Sequence, residues 1–104
     1  MASMFVYNIT IKIVPDIENE WIRWQKQEHI PEIMSSGQFS GYKFYKLLEQ
    51  DETEGITYVV QYFAVSIENY EQYLEKFAPV IREKALKKWG DKFIAFRTVM
   101  QVVN

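Results

Sequence analysis

The chain has 104 residues, a formal net charge of -2 and no cysteine. This length suits a single domain with its own hydrophobic core, and the lack of cysteine excludes disulfides, thiol catalysis and thiolate metal sites. Lys and Arg are not clustered enough to indicate a nucleic-acid or lipid partner. No segment reaches the roughly 20 apolar residues that span a bilayer. We therefore expect a soluble, cytoplasmic protein with no nucleic-acid or membrane partner.

Alternation between apolar and polar residues predicts a first strand over residues 5–14. One face of this strand would carry Phe5, Tyr7, Ile9, Ile11 and Ile13. The other face is more polar and includes Asn8. Pro15 should end the strand, because proline cannot donate a hydrogen bond to a neighbouring strand. Met1, Ala2 and Ser3 precede the pattern and are assigned no structural role.

The next segment holds two of the three tryptophans and the only histidine. A helix from about Ile17 would place on one side Trp21, Ile22, Gln25, His29 and Ile33. Trp21 is predicted to lie on the buried side and Trp24 off its centre. Pro31 is expected to end or kink the helix near Ile30.

Three more strands and a second helical region follow. Strands over residues 40–50 and 56–65 flank a polar loop that ends in glycine, which predicts a β-hairpin. The second helical region spans residues 67–89 and is interrupted at Pro79. A last strand spans residues 92–103. The order β-α-β-β-α-β predicts an α+β, ferredoxin-like fold, a four-stranded antiparallel sheet with helices on one face.

The uncovered face of this sheet is expected to pack against a second copy of the chain. If the helices cover the face with Tyr7, the open face would hold Asn8, Thr10, Tyr45, Val59, Gln61, Phe63, Ala95, Arg97, Val99 and Gln101. Apolar residues among amides suit an isologous contact, so we predict a homodimer of single domains over residues 4–104. The alternative is a half-polar face exposed to solvent.

The chain as a whole resembles a known family. The order of elements, the tryptophan-rich first helix and the segment His29-Ile30-Pro31-Glu32-Ile33 resemble the dimeric α+β barrel superfamily. That superfamily includes the antibiotic-biosynthesis monooxygenases, the EthD-like proteins and muconolactone isomerase. From Met4-Phe5-Val6-Tyr7-Asn8 to the terminal strand, the chain resembles more narrowly DUF4286, a bacterial family of uncharacterised function. The resemblance implies a homodimeric barrel.

His29 is the one side chain whose ordinary pKa suits proton transfer near neutrality. In a catalytic interpretation it acts as acid or base, while Asn8 or Arg97 stabilises developing negative charge. Superfamily oxygenases that work without a cofactor use an asparagine in the first strand, and the position of Asn8 is similar. In a structural interpretation, which we favour, the ring bonds a backbone partner near the kink at Pro31.

Aromatic residues of both helical regions are candidates to line a pocket for a flat apolar ligand. The ligand-binding candidates are Trp21, Trp24 and Tyr70, although aromatics at helical spacing also fill cores. No metal-binding spacing or Gly-rich phosphate loop occurs. A haem-degrading member of the superfamily would need a ligating histidine in the second helical region, and residues 67–89 contain none. We therefore predict no metal and no cofactor.

Three functions stay open at this point. The leading hypothesis is a homodimeric domain of uncharacterised function, with a small apolar or aromatic molecule as its candidate ligand. The second is a cofactor-independent monooxygenase or isomerase acting on an aromatic or polyketide-like small molecule. The third is a sensing domain. A solvated pocket near His29 would favour the enzyme, and a pocket filled by the chain's own aromatics would favour the module.

Overall fold

Four antiparallel strands form one sheet in the computed structural model of the chain, which describes residues 4–103. The strands are β1 (Phe5–Ile13), β2 (Gly41–Lys46), β3 (Ile56–Ala64) and β4 (Phe93–Gln101), in the spatial order β2-β3-β1-β4. This confirms the predicted ferredoxin-like fold. Met1–Ser3, and Asn104 at the end of the predicted domain, lie outside the described residues.

Two helical regions pack on one face of the sheet. The first runs through a short 3-10 turn (Pro15–Ile17), α1 (Glu18–Trp24), a π-helical stretch (Gln25–His29) and α2 (Ile30–Ser35). The second consists of α3 (Ile67–Lys76) and α4 (Ala78–Trp89). Within residues 4–103, no helix combines the length and the hydropathy that a membrane crossing requires.

The π-helical stretch shifts the buried side of the first helical region by one residue. Trp21 and Gln25 are buried four positions apart, as in a regular helix, but the next buried residue is Ile30, five positions after Gln25. The N–H of Ile30 accordingly bonds the carbonyl of Gln25. Trp24, predicted to lie off the centre of the buried side, is buried as well, with 8% of its surface exposed against 1% for Trp21. Pro31 does not end the helix, and instead lies in the first turn of α2.

The register of β4 corrects the predicted open face. Tyr7 pairs with Val99 and Ile9 pairs with Arg97 across β1 and β4. Residues directly opposite each other in antiparallel strands share a face. Arg97 and Val99 therefore lie on the side that the helices occupy, together with Ala95 and Gln101. The prediction was wrong because alternation shows which residues of one strand share a face, but not which face that is.

The open face is more apolar than the sequence indicated. Opposite Thr10, β4 contributes Phe96, whose surface is 66% exposed. The other apolar residues of this face are Val6, Tyr45, Val59, Phe63, Ile94 and Met100. A small polar group interrupts them, in which Asn8 donates to Thr10 Oγ1 and accepts from Gln61 Nε2, each at 3.2 Å. A surface of this composition is typical of an interaction site.

Candidate functional site

A pocket lies between the helical layer and the covered face of the sheet. All three tryptophans of the chain, Trp21, Trp24 and Trp89, contribute to its walls, and it holds a cavity of about 40 Å³. One water molecule takes about 30 Å³ in the liquid, so the cavity accepts little more than a water. Pockets for organic ligands are larger, roughly 300–1,000 Å³. A flat organic ligand would therefore have to displace some of the lining side chains.

Three buried polar atoms around this pocket have no hydrogen-bond partner within residues 4–103. They are Gln25 Oε1, Arg82 Nε and Trp89 Nε1, and all three residues line the pocket. Gln25 is only 2% exposed and Trp89 only 5%. A buried polar group left without a partner costs about 1–3 kcal/mol of stability, and most such groups in proteins are paired. The pocket thus offers two donors and one acceptor to an occupant.

Arg82 enters the pocket from α4 and is fixed by a strand residue. Its Nη2 donates to the hydroxyl of Tyr7 at 2.9 Å. The ring of Tyr7 in turn lies against that of Tyr70, with 5.2 Å between ring centroids. The hydrogen bond to Tyr7 holds the guanidinium in place. The Nε of Arg82 is buried and has no partner among the described residues.

His29 lies at the edge of the pocket, with its ring stacked on Trp24 at 4.4 Å between centroids. Burial lowers the pKa of His29 from 6.5 to about 4. The negative charge of Glu32 opposes this shift, and the positive charge of Arg97 adds to it. The imidazole is therefore neutral near pH 7, and it is a weaker base than a free imidazole. No residue in the described part of the chain hydrogen-bonds a ring nitrogen, so the backbone partner that the structural interpretation requires is not seen.

His29 also faces a groove on the outer side of the helical layer. Glu32 and Lys84 line that groove and form an ion pair there, with 2.5 Å between Lys84 Nζ and Glu32 Oε2. The imidazole thus lies between the pocket and the outside of the protein. This position gives a proton on the ring a short path to solvent.

The structure brings some of the predicted site residues together and separates others. His29 and Arg97 both line the pocket, as do the ligand-binding candidates Trp21 and Trp24. Tyr70 does not line it, and touches it only through the ring of Tyr7. Asn8 lies on the open face, on the opposite side of the sheet from His29, where it bonds Gln61 and Thr10.

Sequence reasoning missed three residues of the pocket. Gln25 stood in the apolar stripe of the first helix, and an amide in such a stripe is a signal that could have been used. Trp89 is the last residue of the second predicted helical region, and its free indole N–H could not be foreseen. Arg82 carried no signal, because its contact with Tyr7 joins residues 75 positions apart. Among the described residues, no group of three or more His, Asp or Glu side chains is placed to hold a metal ion.

The sequence matches a family described as "Domain of unknown function (DUF4286)" over residues 4–103. The chain belongs to the DUF4286 family. The resemblance seen in the sequence is thereby confirmed. No curated protein matches this DUF4286 chain significantly.

Solved structures similar to this DUF4286 domain share its fold at low sequence identity. A dimeric ferredoxin-like protein from an uncultured marine organism is 18% identical with a TM-score of 0.59, and the match covers 98% of this chain and 97% of that one. The cofactor-independent oxygenase SnoaB from Streptomyces nogalater is 11% identical with a TM-score of 0.64, over 99% and 96% of the two chains. A hydroxynitrile lyase from Passiflora edulis is 9% identical with a TM-score of 0.66, over 100% and 99%. These likenesses establish the dimeric α+β barrel fold and no particular chemistry.

Proposed function

We propose that this DUF4286 domain is a homodimeric module that binds a small organic ligand in the pocket between its helices and its sheet. The observation that carries the proposal is the set of unpartnered polar atoms of Gln25, Arg82 and Trp89 around one cavity. Apolar side chains at these positions would pack without the cost of unpaired polar groups. A ligand with a flat apolar body and a polar group would contact the tryptophans and pair these atoms.

The dimer is proposed to form through the open sheet face. Phe96 and Ile94 of the edge strand β4 are both more than half exposed there, and Tyr45 is exposed on the opposite edge strand, β2. A second copy would cover these residues in a two-fold contact. The dimeric ferredoxin-like protein among the similar structures supports dimerisation. The cysteine-free composition suits the reducing cytoplasm that we propose as its location, and the family resemblance suggests a bacterial source.

A second candidate function is cofactor-independent proton transfer on an aromatic or polyketide-like small molecule, as in a monooxygenase or an isomerase. The position of His29 at the pocket favours it, because an unprotonated imidazole there can act as the base towards carbon next to a carbonyl group, even though burial makes this ring a weaker base than a free imidazole. Arg97, which faces the same pocket, would stabilise the enolate oxygen that develops. Asn8 is left out of this role because the sheet separates it from His29. The similar fold of SnoaB, a cofactor-independent oxygenase, is compatible with this chemistry.

Ligand binding can be tested with intrinsic fluorescence, because every tryptophan of the chain lines the pocket. The natively purified protein should first be analysed by native mass spectrometry for a co-purified small molecule. A panel of one-ring and two-ring aromatic compounds bearing a polar group should then be titrated. We expect saturable quenching by some of them. If native spectra show the bare dimer alone and no compound changes the fluorescence, the proposal is wrong.

Gln25→Met is the decisive variant, since it keeps the length of the side chain and removes the unpaired amide. We expect it to weaken binding of the best panel compound about tenfold, equivalent to about 1.4 kcal/mol, while the protein stays folded. Gln27→Met, an exposed position of the same helical stretch, is the matched control and should leave binding unchanged.

If the panel compound is a substrate, His29→Gln should abolish turnover and keep binding. A pure binding module would show no turnover in any variant.

A further inference from the structure

Two arginines face the pocket, and the residues that the structure describes give neither of them an acidic partner. Arg82 comes from α4 and Arg97 from β4, and both line the cavity. The ion pairs of the described chain involve lysines alone. None of the residues that line the pocket is an aspartate or a glutamate. The pocket therefore carries positive charge in a protein whose net charge is -2.

The two guanidinium groups act on the same part of the pocket. Burial raises the pKa of Tyr73, and the charges of both Arg82 and Arg97 work against this shift. Arg97 also acts on His29. The acidic group whose charge also acts on Tyr73 and His29 is Glu32, which binds Lys84 in the outer groove. Its charge is thus already paired outside the pocket.

Resting on the proposed ligand-binding function, we propose that the ligand is a small aromatic carboxylate whose anionic oxygens are bound by Arg82 and Arg97. A guanidinium presents several N–H donors in one plane, which matches the two oxygens of a carboxylate. Arg82 Nε is buried and lacks a partner, so one such donor is available at the pocket. The indole N–H of Trp89 provides a further donor to the same occupant. The aromatic body would contact the rings of Trp21 and Trp24.

Structural roles account for these arginines less well. Arg82 satisfies the Tyr7 hydroxyl with Nη2 alone, and a lysine or a glutamine would do this without burying an unpaired guanidinium nitrogen. Arg97 stands in the edge strand β4 and forms no ion pair with any acidic residue that the structure describes. The chain has a third arginine, Arg23, which is exposed and does not line the pocket. Arg23 therefore serves as a matched control.

The test compares acids with their neutral amides of the same shape, namely benzoate with benzamide, cinnamate with cinnamamide, and 2-naphthoate with 2-naphthamide. Binding is measured by tryptophan fluorescence and by calorimetry near neutral pH in low salt. We expect at least one carboxylate to bind about tenfold or more tightly than its amide, because charge-assisted hydrogen bonds are about twice as strong as neutral ones. Added salt should reduce this preference.

Arginine variants then assign the preference to the pocket. Arg97→Gln should lower carboxylate affinity about fivefold to tenfold and leave amide affinity unchanged. Arg23→Gln removes the same charge and should leave both affinities unchanged. Arg82→Lys keeps the charge but loses Nε, and is expected to lower carboxylate affinity as well. If this variant does not fold, Arg97→Gln decides the question.

Failure of this inference is distinguishable from failure of ligand binding itself. Amides that bind as tightly as the acids, or a carboxylate preference that Arg97→Gln leaves intact, would overturn the carboxylate assignment and leave the binding pocket standing. If neither member of any pair binds, and the panel of polar aromatics fails as well, both proposals are overturned.

Discussion

Replacement of His29 by glutamine should make the stability of the protein less sensitive to acid. In the folded chain, burial beside Trp24 lowers the pKa of His29 from 6.5 to about 4. Between these two pH values the unfolded chain binds a proton that the folded chain does not. The free energy of unfolding therefore falls as the pH drops from 6.5 towards 4, and this contribution is constant above pH 6.5.

The size of this loss in the free energy of unfolding follows from the difference between the pKa values of His29 in the unfolded and folded chains. At about 1.36 kcal/mol per pH unit, the full interval from 6.5 to about 4 corresponds to about 3 kcal/mol. Because the ring is only partly buried, solvent screening reduces this, and we expect a loss of about 2 kcal/mol in the parent protein. His29→Gln cannot take up this proton, so the variant should lack this part of the acid-induced loss.

Urea unfolding at about pH 7.5 and about pH 4.5 measures this difference directly. Protein concentration must be equal in all experiments, because dimerisation makes apparent stability depend on it. Carboxylates also titrate in this range, so the meaningful quantity is the difference between the pH responses of parent and variant. The exposed control Gln27→Met should follow the parent. Equal losses in the parent and in His29→Gln would show that the imidazole is not buried in its neutral form, and would refute the reasoning.

The remaining predictions concern the core and the open face. Trp21→Ala and Trp24→Ala should each destabilise by roughly 3–5 kcal/mol in chemical unfolding, because both rings are buried; a much smaller loss for Trp24→Ala would show that its ring contributes little to the packed core. Phe96→Lys should convert the dimer to monomers in light scattering, whereas Val80→Lys, at an exposed apolar residue of α4, should not. Arg97→Gln should leave the dimer intact, since Arg97 faces the helices, and monomers in this variant would contradict the observed register.

The element order was predictable from the sequence because it depends on local signals. Alternation over residues 5–14 and 56–65, proline at the end of the first strand and the glycine that closes the hairpin loop each fix a boundary within the chain. The face that β4 presents to the helices could not be predicted in this way. It depends on which residue of β1 lies opposite Arg97, and a shift of one residue exchanges the two faces. The hydrogen-bonded register decides this, and it pairs Arg97 with Ile9.

The candidate site was predictable only in part. His29, Trp21 and Trp24 were recognisable because rare or large side chains were concentrated in one helix. The polarity of the pocket was not recognisable, because it consists of atoms that lack partners, and only three-dimensional contacts show which atoms those are. Arg82 illustrates this, since its role depends on the distant hydroxyl of Tyr7 and on an Nε that meets no acceptor.

The π-helical stretch connects the irregularity of the fold to the candidate site. It begins at Gln25, whose amide oxygen is buried without a partner, and ends at His29, whose ring lines the same pocket. A regular helix with an apolar residue at position 25 would avoid both the weaker helical geometry and the unpaired amide. Packing alone does not account for two unfavourable features in one helical turn, and single-turn π-helices are frequent at functional sites. The chain elsewhere follows the usual rules of helix geometry and of pairing for buried polar groups. When both rules fail at one pocket, the residues there are expected to serve binding and not stability.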